Sequence, residues 1–101
     1  LPRDHVRDGR VRRLMAELHL PPILPPLFPG LPRELELEAA TVDEAIDRLD
    51  ERWPGMRDRL VEPGPKLRPH INVYVDHERG GLDTVLEPAS RVDVIAAISG
   101  G

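Results

Sequence analysis

Six of the chain's twelve prolines fall between residues 21 and 32, at Pro21, Pro22, Pro25, Pro26, Pro29 and Pro32. Proline has no amide hydrogen, so this stretch cannot run through the interior of a sheet or helix. Any regular element ahead of it must stop or lie at an edge. Immediately upstream, Glu17-Leu18-His19-Leu20 alternates polar and apolar residues, the two-residue period of a half-buried strand. Past the Pro29-Gly30 turn the alternation resumes over Glu34 to Ala39. It sets Leu35, Leu37 and Ala39 on one face and Glu34, Glu36 and Glu38 on the other. The reading is two antiparallel strands joined by a proline-rich loop.

Thr41-Val42-Asp43-Glu44 then has the form of a capping box, predicting a helix from Val42. Val42, Ala45, Ile46, Leu49 and Trp53 recur at three- and four-residue steps, so one helical face is apolar. Pro54 and Gly55 end the helix at or near Trp53. Met56 to Leu60 reads as a further short helical turn, and Glu62-Pro63-Gly64-Pro65 as a loop. Ile71-Asn72-Val73-Tyr74-Val75 is a β-branched strand, Asp76 to Gly81 a turn, and Leu82 to Leu86 a brief element. Arg91 to Ile98 is apolar on both sides of its later half, as in an interior strand covered on two faces. Strand, strand, helix, strand, connection and interior strand make an α+β roll in the β-grasp (ubiquitin-like) order, a mixed sheet packed on one main helix.

A chain of 101 residues with 40% hydrophobic content suits one domain. Domains of this size bury only about 60 to 65% of the surface that the unfolded chain exposes, which disfavours a deep catalytic pocket. The net charge of −4 and the confinement of clustered arginines to Arg3, Arg7, Arg10, Arg12 and Arg13 argue against a nucleic-acid partner. Residues 1–15 are therefore read as a basic, disordered extension, and residues 16–101 as the domain with a flexible Gly-Gly tail. No run is long and apolar enough to suggest a membrane partner. Cysteine is absent, which removes disulfides, thiolate metal sites and thiol nucleophiles, and the expectation is a cytoplasmic protein.

Four stretches, in this order, resemble the MoaD/ThiS-like family of the molybdopterin synthase small subunit and the thiamine sulfur carrier. They are Ala40 to Ile46 opening the helix, Arg52 to Leu60 closing it, His70 to Val75 as a strand, and Val92 to Gly101 at the end. Pro65-Lys66-Leu67-Arg68 is similar to the branch that supplies sulfur for cysteine synthesis. Three departures stand out. Asp76 to Gly81 is shorter than the usual turn and is expected to lose the small strand found there, Ala89-Ser90-Arg91 replaces a Gly-Asp turn, and Ala96 stands where proline is frequent.

The resemblance implies a carrier whose reactive group is its own C-terminus. Gly101 would be adenylated and converted to a thiocarboxylate, with Ser99, Gly100 and Gly101 threading into the partner. Two glycines carry no Cβ to obstruct a narrow channel. The implied partners are a ubiquitin-activating-like adenylyltransferase and a sulfur-accepting synthase, of the molybdopterin synthase large subunit, thiazole synthase or cysteine synthase type. ATP and magnesium would sit in the activating partner, so no cofactor is expected here. The chain would not itself be an enzyme. A ubiquitin-like modifier conjugated through Gly101, and a β-grasp interaction module with an inert tail, remain as alternatives.

Other candidate residues are assigned to structure. His19, His70 and His77 lack zinc-ligand spacing, so no metal site is expected. Glu34, Glu36 and Glu38 read as a charged outer face rather than an acid–base pair. Asp43, Asp47, Asp50 and Glu51 read as a solvated helix face, with steering toward a basic partner as the lesser reading. Trp53 and Tyr74 read as packing residues. Gly80-Gly81 reads as a turn, since no following lysine opens a helix as a phosphate cradle requires.

Overall fold

The computed structural model describes residues 15–97. Residues 1–14 of the expected extension 1–15 and the tail, including Ser99, Gly100 and Gly101, lie outside the described residues, whereas Met15, the last residue assigned to the extension, opens the first strand.

Strand β1 (Met15–His19) pairs antiparallel with β2 (Glu34–Glu38), Ala16 facing Leu37 and Leu18 facing Leu35. The intervening prolines act only as acceptors. Leu24 donates to the Pro21 carbonyl and Phe28 to that of Pro25, winding a single 3-10 turn over Pro25–Leu27. Leu20, Leu24, Phe28 and Leu31 thereby enter the core. The loop is thus a wall of the domain, a role not visible in its proline spacing.

Helix α1 (Val42–Arg52) buries Val42, Ala45, Ile46 and Leu49. The amides at its first turn, which have no partner within the helix, are all satisfied. Val42 donates to the Thr84 carbonyl, Asp43 to that of Leu82, and Glu44 to the Thr41 hydroxyl at 3.1 Å. The Glu44 carboxylate reaches back one residue further than in the usual box and accepts from Ala40 N–H at 2.7 Å. The Leu82–Leu86 segment meets the helix start through the bonds from Val42 and Asp43, a Leu86 N–H bond to the Ala40 carbonyl and an isolated bridge between Thr41 and Val85, so it caps the helix from outside. Gly55, at φ 100°, turns the chain into α2 (Met56–Leu60), whose Met56 and Leu60 are buried. Asp50 at the end of α1 accepts from the amides of Gly55 and Arg57, joining the two helices.

Two short strands, β3 (Val61–Glu62) and β4 (Lys66–Leu67), form a separate hairpin around the expected loop. Next come β5 (Ile71–Val75), β6 (Glu78–Gly80) and β7 (Arg91–Ala96). The main sheet runs β2-β1-β7-β5-β6, with β1 and β7 parallel and every other pair antiparallel. Its inner face gives Ala16, Leu18, Leu37, Val73, Val92 and Val94 to the core shared with α1. This is the expected β-grasp roll. Among the described residues no helix is long and apolar enough to cross a membrane.

Two expectations need correction. The small strand anticipated as lost is present as β6, because Asp76 and His77, at φ 51° and 74°, make a two-residue hairpin turn that sets Val75 opposite Glu78. Paired positive φ usually announces itself as Asn-Gly, which is absent here. Strand β7 is interior in its pairing but covered on one face only. Val92 and Val94 are buried, whereas Ile95 on the other face is 45% exposed.

The start of β7 is tied down by a polar knot. Ser90, 2% exposed, donates through Oγ to Asp76 Oδ2 at 3.0 Å and accepts from the Glu87 amide at 2.9 Å. Asp76 Oδ1 takes the Arg91 amide at 2.9 Å. Beside it Ala89 holds φ at 67°, a left-handed geometry that costs a residue with a Cβ about 1 to 2 kcal/mol. Replacing Ala89 with glycine is expected to raise the unfolding free energy by about 0.5 to 1 kcal/mol, part of the relieved strain being offset by the freer unfolded chain. Ser90→Ala, which strands a carboxylate oxygen and an amide, should lower it by about 1 to 3 kcal/mol. Urea titrations of the three chains would measure both.

Candidate functional site

The tail leaves the fold from the end of its central strand. Ala96 pairs with Ile71, and one residue on, Ala97 N–H donates to the His70 carbonyl at 2.7 Å. Four residues remain, and four residues extend at most about 14 Å. Ser99, Gly100 and Gly101 belong to this stretch, and the structure describes their point of departure rather than the residues themselves.

That point is ringed by both apolar and charged side chains. Among the described residues four large hydrophobic side chains are exposed: Ile23 at 52%, Leu27 at 45%, Val85 at 63% and Ile95 at 45%. Three of these border depressions that also include Ala96, the exception being Val85 on the helix-capping segment. A small cavity of about 90 Å³ lies between Pro21, Ile23, Leu24, Leu27 and Ile71 on one side of the tail root. A wider hollow of about 340 Å³ on the outer sheet face takes in Pro22, Arg33 and Ile95. Clustered exposed apolar side chains of this kind mark contact surfaces more often than isolated ones do. Arg59 and His70 flank the small cavity, and Arg68 is pinned nearby by its Nε–H bond to the Asp58 carbonyl at 2.7 Å.

The outer sheet face is otherwise charged. Arg91 grips Asp93 two residues along its strand with Nε and Nη2, at 3.0 to 3.2 Å. The hydrogen bond to Asp93, reinforced by the fields of Asp93, Glu17 and Glu34, raises the Arg91 pKa above its ordinary value despite some desolvation. His19 lies between two carboxylates, bonded through Nε2 to Glu17 and with Nδ1 3.6 Å from Glu34. Glu17, His19 and Glu34 form the one cluster of three potential metal ligands among the described residues. The two ring nitrogens of His19 face different carboxylates. His70 and His77 lie elsewhere, on the tail side of β5 and in the β5–β6 turn. Glu34, Glu36 and Glu38 are exposed.

The acidic helix face is less free than its spacing implied. Arg57 bridges Asp43 and Asp47 at 2.9 Å each. Burial works against its charge, but the bond to Asp43 and the fields of both carboxylates prevail, raising its pKa. Asp50 is taken up in joining the helices, and Glu51 lies 3.6 Å from Arg48. Trp53 packs against the core with Arg52 4.8 Å above its ring, whereas Tyr74 stands half-buried on the outer sheet face. Gly80 closes β6 rather than sitting in a turn. A Cβ there would come within 2.6 Å of Thr84 Oγ1.

A family model described as the ThiS family matches residues 27–101. The chain belongs to the ThiS family. Among solved structures, a chain of the Amycolatopsis orientalis BexX/CysO complex is similar at 31% identity and a TM-score of 0.74, covering 85% of this chain and 99% of that one. CysO of Mycobacterium tuberculosis is similar at 27% identity and a TM-score of 0.73, covering 82% and 99%. SAMP1 of Haloferax volcanii, at 24% identity and a TM-score of 0.71 over 86% and 99%, shares the fold. No curated protein matches the chain. As a ThiS-family member it is a ubiquitin-fold protein of the sulfur-carrier or modifier type. Its terminal glycines were visible in the sequence. The ring formed by Ile23, Leu27 and Ile95 was not, because Ile95 lies about seventy positions from the other two, which sit among the prolines.

Proposed function

We propose that this chain is a sulfur carrier that works through the carboxylate of Gly101. The observation that carries the reading is the exit of the tail from a strand hydrogen-bonded on both sides, within a ring of exposed apolar side chains, in a chain whose family match runs to residue 101. The Gly101 carboxylate attacks the α-phosphate of ATP held by a ubiquitin-activating-like adenylyltransferase, and pyrophosphate leaves. Hydrosulfide then attacks the acyl adenylate. A C–S bond forms, the C–O bond to phosphate breaks, AMP departs and a proton is released, leaving a thiocarboxylate. A synthase, of cysteine synthase type by the resemblance carried by Pro65-Lys66-Leu67-Arg68, takes the sulfur.

The chain supplies position rather than catalysis. Glycine at both final positions lets the carboxylate enter a site too narrow for a Cβ. Ile23, Leu27 and Ile95 dock the partner so that four residues of tail suffice to reach its active centre. The A. orientalis relative is seen in complex with BexX, which supports work through a protein partner here. ATP and magnesium belong to that partner.

Incubating the chain with ATP, magnesium, sulfide and its cognate adenylating enzyme should raise its intact mass by the difference between one sulfur and one oxygen. Deleting Gly101 should abolish the gain. A folded chain that gains nothing from its cognate adenylating enzyme would sink the reading. Ile95→Asp, which puts a charge into the ring without touching the core, should weaken capture by that enzyme about tenfold to a hundredfold at unchanged melting temperature. Steady-state adenylation against carrier concentration would measure it, the change falling on KM.

A further inference from the structure

An activated C-terminal carbonyl is open to any amine, which raises the question of which nucleophiles the chain itself offers. Position 66 is its single lysine, and the other thirteen basic residues are arginines. A guanidinium stays protonated to about pH 12 and beyond, with no lone pair free for attack. Cysteine is absent, and hydroxyls need an adjacent base before they attack. Lys66 is therefore the one side chain in the sequence able to form a lasting amide with an activated acyl group.

Its placement suits that role. Lys66 opens β4 just after the Pro63-Gly64-Pro65 turn, on the hairpin that stands apart from the main sheet. The side chain is 68% exposed, with Nζ 3.6 Å from Glu62 Oε2. Such an exposed pair is worth at most about 1 kcal/mol and leaves the amine accessible. Arg68 Nη1, 4.0 Å from the other oxygen, helps to hold the Glu62 carboxylate in place beneath it. Beside Lys66 an open depression of about 570 Å³ is lined by Pro65, Leu67, Leu82 and the glycines 64 and 81. At Gly81 a Cβ would meet nothing within 4 Å, so the depression has room for an incoming strand of small residues.

We propose that Lys66 accepts the activated Gly101 carbonyl of a second copy of this chain, joining the protein to itself through one Gly101–Lys66 isopeptide linkage. The inference rests on the adenylation of Gly101 proposed above. After losing its proton to solvent, the Lys66 amine attacks the carbonyl carbon of the partner copy's acyl adenylate. The C–N bond forms, the C–O bond to phosphate breaks, AMP leaves and a second proton is released from nitrogen.

The test uses the full chain with ATP, magnesium and its adenylating enzyme, without sulfide. Pyrophosphate exchange reports the activation of Gly101, and intact mass reports the conjugate. The expected product is a covalent dimer lighter than two chains by one water. Its tryptic digest should contain a branched peptide with Val92 to Gly101 attached at Lys66. Lys66→Arg keeps the charge beside Glu62 and should lose the dimer while exchange continues at the wild-type rate. Exchange without a dimer, a dimer that survives Lys66→Arg, or a monomer lighter by one water would each overturn the proposal. Absence of exchange would instead bring down the adenylation reading on which the proposal depends, and the proposal with it.

Discussion

The hydrogen-bonded seat of β7 between β1 and β5 is the constraint on which the rest of the structure depends. Glu17 lies beside Arg91 in the parallel ladder, and Val75 beside Val92 in the antiparallel one, so the last strand is gripped along both edges. The parallel pair joins segments more than seventy residues apart. Its loop-closure entropy must be recovered from burial, and Val92 and Val94 bring that burial by entering the core under α1. Whatever holds β7 also fixes the position of Ala97, the last described residue. The Asp76–Ser90–Arg91 knot fixes one end of the strand, and the Ala97 to His70 bond fixes the other.

The charges follow the same economy of position. Of the acidic residues on α1, Asp43 and Asp47 hold Arg57, and Asp50 binds the amides at the start of α2. These contacts set the angle between the two helices and keep Met56 and Leu60 in the core. A helix face that looks like bare solvated charge in one dimension is a joint in three. Long-range steering by those carboxylates is correspondingly reduced, since Arg57 at contact distance offsets one of their charges.

Legibility tracked the range of the forces involved. The strands alternate and α1 carries its own cap, so both were readable from local sequence, and Thr41, Val42 and Trp53 mark the helix ends as its spacing implied. What escaped depended on distant partners or rare backbone states. Strand β6 forms because Asp and His accept left-handed angles that one expects of glycine and asparagine. Leu24 and Phe28 reach the core through a turn whose prolines accept but never donate. The exposure of Ile95 could not be foreseen from a run of apolar neighbours, because only pairing order decides that nothing covers the outer face. The tail's glycines were legible as a motif, while the surface that makes them useful is assembled from β7 and the proline loop.

That division bears on how a carrier of this kind chooses partners. Gly-Gly at the end of a chain is chemically generic, and a site able to thread it would accept many such tails. In the carrier proposed above, four residues of reach would keep the partner's active centre within about 14 Å of the tail root, and the partner would press against the surface around it. Ile23 and Leu27 come from a loop shaped by six prolines, and Ile95 from the outer face of the central strand. Loops of this type vary without disturbing a sheet. The proline segment, which first looked like an interruption between two strands, therefore both walls the core with Leu24 and Phe28 and offers Ile23 and Leu27 as surface that can vary beside the tail root.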